Sequence, residues 1–117
     1  MTDKIKKGNE GEELAVTYLM NKGYKVLARN YRYKHSEIDL VASHNNWLIF
    51  VEVKTRSSDH FGFPEEFVDE KKAEKIFEGA EQFIHENDWQ GNVRYDIISV
   101  SIKNGIPEIV HFEDAFY

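Results

Sequence analysis

Cysteine is absent from this sequence, and proline occurs only twice. Without cysteine there is no disulfide and no thiolate zinc site, and the composition suits a reducing compartment. Long apolar runs are missing too. The longest, Trp47 to Val51, falls far short of the roughly 20 residues that a membrane-spanning helix needs. The opening residues are charged and no apolar stretch follows them, so a secretory signal is not expected. The histidines (His35, His44, His60, His85 and His111) include no pair at i, i+4, so spacing gives a histidine zinc site no support. These absences point to a cytoplasmic protein without membrane association. What is present is ordinary globular composition: 117 residues, 41% hydrophobic and 31% charged, enough for one domain over 1–117 with its own core.

Net charge is −6, which taken alone argues against a nucleic-acid binder. The average hides a gradient. Residues 1–34 carry a net +4, residues 35–56 a net −1, residues 57–91 a net −7 and residues 92–117 a net −2. One part of the chain is therefore basic enough to meet an anionic partner, and one segment is strongly acidic.

Asn9 precedes Glu12 by three residues, as in a capping box, and Leu14, Ala15, Tyr18 and Leu19 follow at helical spacing. Gly23 is a stop signal. The first helix is expected over about 9–22, or from nearer Asp3. Residues 24–32 read as a strand rich in aromatic and basic side chains. Residues 36–42 and 47–54 read as two strands joined at Asn45-Asn46, since asparagine tolerates positive φ. Residues 57–64 form a loop, in which Phe61, Gly62 and Phe63 mark a mobile stretch beside the site. Ala73, Ile76, Phe77, Ala80, Phe83 and Ile84 trace one face of a helix over about 66–87. Residues 93–102 form a strand, Asn104-Gly105 a turn, and residues 106–112 a returning strand placed at an edge by Pro107. The order αβββαββ implies an α/β domain with a mixed central sheet flanked by helices.

If Asn45-Asn46 is a two-residue turn, opposed residues have numbers that sum to 91. Asp39 then faces Glu52, Glu37 faces Lys54, and Val41 faces Phe50, all on one face of the sheet. The other face carries Ile38, Leu40, Ile49, Val51 and Val53 and is core. Two carboxylates directly opposed destabilise a strand pair by about 0.2–1 kcal/mol when solvated, and by more when covered. Compensation can come from a proton, from a cationic side chain such as Lys54, or from a divalent metal ion. Mg²⁺ commonly binds through one or two carboxylates, with waters and substrate phosphate completing the shell. The competing reading is a solvated sheet face with a weak ion-pair network.

Asp39 followed by Glu52-Val53-Lys54 resembles the D…ExK signature of the restriction-endonuclease-like (PD-(D/E)xK) nuclease superfamily. The surrounding pattern is more specific: Gly8-x-x-Gly11-Glu12-x-x-Ala15, Gly23-Tyr24, Arg29-Asn30-x-Arg32, Glu37-Ile38-Asp39-Leu40-Val41-Ala42, Phe50-Val51-Glu52-Val53-Lys54-x-Arg56, Phe61-Gly62, Lys72 and Arg94-x-Asp96. In this order they resemble the YraN family of small bacterial proteins over nearly the whole chain. Through about residue 56 they are also similar to archaeal Holliday-junction resolvases. Ser36 departs from the family pattern, which usually has glycine before Glu-Ile-Asp.

The resemblance implies a restriction-endonuclease-like domain. It implies Asp39 and Glu52 as ligands of Mg²⁺ or Mn²⁺, the Val53 carbonyl as a further ligand, Lys54 as the catalytic lysine and Glu12 approaching the metal from the first helix. Arg29, Arg32, Lys34 and Arg56 flank the hairpin as candidate phosphate contacts, with Tyr31 and Tyr33 between them as base-stacking candidates or inward-packed aromatics. Lys72 sits where a helix dipole disfavours a cation, which also hints at phosphate. Asp96 beside Arg94 reads as structural. The expected function is metal-dependent hydrolysis of DNA phosphodiester bonds, with branched DNA as a candidate substrate and a homodimer as the assembly suggested by the resolvase analogy. Two alternatives stand beside it: a nucleic-acid-binding protein with little or no cleavage, and a protein-interaction module using the acidic helix over 65–88.

Overall fold

The computed structural model describes residues 3–56 and 68–116, with side chains from Glu10 onward. The elements run α1 (Asp3–Asn21), β1 (Lys25–Tyr33), β2 (Ser36–His44), β3 (Trp47–Arg56), α2 (Glu70–Glu86), β4 (Asn92–Lys103) and β5 (Ile106–Phe112). The strands form one five-stranded sheet in the order β1-β2-β3-β4-β5. β3 and β4 are parallel, with α2 as their crossover, and the other neighbours are antiparallel hairpin pairs. This is the αβββαββ order and mixed sheet expected of the restriction-endonuclease-like fold.

Local chemistry sets the turns. Asn45 and Asn46 both take positive φ, 49° and 58°, and Asn104 and Gly105 take 52° and 76°, the backbone of tight two-residue hairpins. The β2–β3 ladder runs from His44↔Trp47 to Leu40↔Val51, the register expected from a turn at Asn45-Asn46. Pro107 lies on β5, an edge strand. Gly23, at φ 90°, ends α1: the Gly23 amide bonds to the Met20 carbonyl and the Tyr24 amide to the Leu19 carbonyl.

The helix starts bear on two expectations. α1 begins at Asp3, the earlier of the two starts expected, so Asn9 and Glu12 are interior to the helix and Asn9 is not its N-cap. α2 is capped by Asp69, whose side chain accepts the Lys72 amide at 2.8 Å, so it starts later than residue 66. The loop expected over 57–64, with Phe61, Gly62 and Phe63, lies outside the described residues.

The helices cover opposite faces. Ala15 and Leu19 of α1 join Leu40, Ala42, Ile49, Val51, Ile98 and Val100 in one cluster. Ile76, Ala80 and Phe83 of α2 join Val41, Leu48 and Phe50 in another. Each large buried side chain contributes about 1.5–3 kcal/mol to folding. Ile38 breaks the expected alternation. It packs with Val41 and Phe50 on the α2 side, while Leu40 packs on the α1 side, so the facing of β2 is reset at Asp39. Opposite Asp39, between the pairs Arg29↔Leu40 and Tyr31↔Ile38, stands Asn30 with a left-handed backbone of φ 53°.

Asp96 is wholly buried on β4 and fully partnered. Arg94 binds both its oxygens at 2.9 Å, His111 Nε2 lies 2.7 Å from Oδ2, and the Asp114 amide donates to Oδ1 at 2.9 Å. Burial alone would raise its pKa, but these hydrogen bonds outweigh burial and hold it below the usual carboxylate value. His111 continues to Tyr18 of α1, and Arg94 to the Tyr24 hydroxyl, so the cluster ties β4 to β5, α1 and the start of β1. Among the described residues, no helix is long and apolar enough to cross a membrane.

Candidate functional site

The sheet forks at Asp39 and Glu52. The β2–β3 ladder ends at Leu40↔Val51. Beyond that pair, β2 stays with β1 as far as Tyr33↔Ser36, while β3 stays with β4 as far as Arg56↔Ser101. The two carboxylates therefore stand at the crotch where neighbouring strands part. Asp39 Oδ2 accepts the Val53 amide at 2.8 Å, serving the edge of β3 that β2 has left. In an extended strand the N–H and C=O of one residue point to the same edge, so the Val53 carbonyl faces this gap as well.

The electrostatics follow from crowding. Glu52 is buried, with 8% of its side chain exposed, and stands close enough to Asp39 for its charge to act on it. Burial and the Glu52 charge push the Asp39 pKa from 3.8 up to about 7, against the opposing pull of the Val53 amide and Lys72. Glu12 reaches the same region from α1. Burial and the Asp39 charge raise its pKa, while a hydrogen bond from Asn30 and the Arg29 charge oppose the rise. Glu12 is placed by a close helix–sheet approach: a Cβ on the preceding Gly11 would lie 1.9 Å from Thr55 Oγ1 and 3.0 Å from Thr55 Cβ.

The cation beside the pair is Lys72, where Lys54 was expected. Lys72 Nζ, from the first turn of α2, lies 2.5 Å from Glu52 Oε1. Lys54 is exposed. The ladder stops before Glu37 and Lys54 can face each other, and Glu37 lies 3.6 Å from Arg32 instead. Lys72 was expected at phosphate, and in this structure its ammonium is engaged with Glu52.

The basic flank is partly as expected. Arg29 pairs with Glu13 at 2.7 Å, and both this pair and Arg32–Glu37 are exposed and weak. Both arginines remain available to an anion at little cost. Arg56 is half-buried at the end of β3. Tyr31 packs edge-on against Phe83, and its hydroxyl donates to Glu86, so it supports the core and does not present a stacking face. Lys34 lies over the Tyr33 ring. Asn30 was missed as a site residue. Its signal is a left-handed asparagine in mid-strand, which no turn pattern announces.

The donors suit a hard divalent cation. They are two neighbouring carboxylates whose charges act on each other, with a main-chain carbonyl facing the same gap. Among the described residues, no group of three or more His, Asp or Glu side chains is gathered as a metal site, so the set is a two-carboxylate one.

Fold and site together define an α/β protein with a carboxylate pair at the fork of a mixed sheet. The chain belongs to the YraN family, described as uncharacterised protein family UPF0102, whose family model matches residues 11–100. A UPF0102 protein of Alkaliphilus oremlandii is 47% identical over 121 residues, covering 99% of this chain and 100% of that protein. One of Sulfurihydrogenibium sp. is 47% identical over 115 residues, covering 97% and 96%. One of Cytophaga hutchinsonii is 46% identical over 99 residues, covering 85% and 88%.

Proposed function

We propose that the chain is a metal-dependent endonuclease that hydrolyses DNA phosphodiester bonds, with branched DNA the first substrate to assay. The observation that carries this reading is the Asp39–Glu52 pair. Two neighbouring acidic groups at a strand fork repel each other, and a divalent cation between them would turn that repulsion into a binding site. Asp39, Glu52 and the Val53 carbonyl would hold Mg²⁺ or Mn²⁺, which when bound supplies Lewis acidity toward phosphate oxygen and water.

The chain's own groups do the rest. Lys54 lies two residues past Glu52 on β3, and its exposed ammonium is free to orient the attacking water and offset charge building on the phosphate. Glu12, whose carboxyl burial and the Asp39 charge make harder to ionise than an ordinary glutamate, would ionise more readily once positive charge accumulates beside Asp39. Arg29, Arg32 and Arg56 supply backbone phosphate contacts that position the strand without reading its sequence. A homodimer would set two such sites against the two strands of a branched substrate.

The test is cleavage of linear, flapped and four-way DNAs with Mg²⁺ or Mn²⁺, with Asp39→Ala and Lys54→Ala as controls. Metal-stimulated cleavage lost in both variants supports the reading. A second reading, a DNA-binding protein that leaves strands intact, draws on Lys72, which already neutralises part of the pair without a metal. Salt-sensitive DNA binding without cleavage would select it.

A further inference from the structure

A cation in the first turn of a helix opposes the helix dipole, and Lys72 stands there beside the Asp69 cap. Its position makes sense through what it touches. Glu52 is a buried carboxylate, and Lys72 supplies its ion-pair partner at 2.5 Å. The lysine is also easy to release, since 44% of its side chain is exposed and its head can return to water. Its charge reaches Asp39 as well, where it opposes the rise in pKa. One flexible ammonium thus stands in for positive charge at both carboxylates.

We propose that Lys72 is a resident counterion that a divalent cation displaces from Glu52, and that the freed ammonium then serves as a phosphate contact beside the loaded site. This rests on the metal reading above. Two positive groups at one carboxylate repel each other, so metal entry at Glu52 weakens the Lys72 contact with it, and the contact opposes metal entry. Metal loading would then raise DNA affinity by a route separate from chemistry, and DNA would raise metal affinity by the same factor. Lys54 keeps its place beside the nucleophile, and Lys72 acts on the state of the site.

The test uses the full chain and MnCl₂ without DNA. By titration calorimetry, Lys72→Gln should bind Mn²⁺ about tenfold more tightly than wild type, because the competing charge is gone, and Lys72→Arg should bind like wild type. A second readout needs no variant: the Lys72 side-chain Cε–Hε NMR signal of wild type should shift in step with Mg²⁺ saturation. Equal or weaker Mn²⁺ binding by Lys72→Gln, or a Lys72 signal that stays put at saturation, overturns the proposal. If wild type binds Mn²⁺, Asp39→Asn does not, and Lys72→Gln matches wild type, then only the counterion role falls. If wild type binds no Mn²⁺, the metal reading falls and takes this proposal with it.

Discussion

Asp39 Oδ2 accepts a hydrogen bond from the Val53 amide at 2.8 Å, where a neighbouring strand would otherwise stand. A side chain has taken over the satisfaction of a strand edge, and this lets β2 and β3 part without leaving an orphaned donor. The bond also holds the Asp39 carboxyl within reach of the Glu52 charge. The fork and the acidic pair are thus one feature, and it has consequences for stability, proton binding and metal binding.

Asp39→Asn should stabilise the metal-free protein while removing metal binding. The substitution relieves like-charge contact with Glu52 and keeps an oxygen for the Val53 amide, a gain of about 1 kcal/mol or a few degrees in Tm. Thermal melts with and without Mn²⁺ check both halves. Asp39→Ala should differ in sign, because it strips the Val53 amide of its partner at a cost of about 1–3 kcal/mol.

Asp39 should make folding stability fall as pH rises toward neutrality. Its folded pKa is about 7 against an ordinary 3.8. Between those values the folded state holds a proton that the unfolded state has released, so the unfolding free energy declines with pH across that window. Metal ion competes with that same proton. Mn²⁺ affinity should therefore rise up to about pH 7 and then level. Calorimetry at pH 6 in buffers of different ionisation enthalpy should show proton release on binding.

The buried Asp96 cluster should act in the opposite direction. Its folded pKa is lowered, so its contribution is present above the unfolded pKa and is lost as pH falls through the folded value. Asp96→Ala takes from Arg94 its bidentate carboxylate, leaving it the Tyr24 hydroxyl and Glu113, and should cost about 3–5 kcal/mol. Urea melts at neutral pH measure the loss, and melts at acid pH should show the gap between variant and wild type closing.

Gly11→Ala should lift α1 from β3. The added methyl meets the Thr55 hydroxyl and its Cβ, a branched side chain with little rotamer freedom. The overpacking cost is about 1–3 kcal/mol. Because Glu12 is the next residue, metal-stimulated cleavage should fall by more than the loss of folded protein explains. Comparing activity per folded molecule of Gly11→Ala with that of wild type checks this.

Much of this was legible in the sequence where the determinants are local. Asn45-Asn46 and Asn104-Gly105 announced both tight turns, and the first of these set the register that the β2–β3 ladder keeps as far as Leu40↔Val51, one pair short of Asp39 and Glu52. The paired apolar strands announced a sheet covered on two sides. The fork was not legible, because it depends on which strand lies on the far side of each member of the hairpin. The Lys72–Glu52 contact joins residues from different elements, and no spacing rule connects them. Lys54, adjacent in sequence, looked like the better counterion. The reset facing of Ile38 was hidden for a similar reason, since strict alternation is assumed and a left-handed Asn30 across the ladder marks where it fails.

The central claim is that Asp39 and Glu52 share one divalent cation. A crystal of the full chain soaked in MnCl₂ tests it most directly through the anomalous signal of manganese. The account predicts a peak about 2 Å from an oxygen of each carboxyl, with the Lys72 ammonium moved off Glu52. A saturating soak that gives no peak between them, with Lys72 still seated on Glu52, would contradict it.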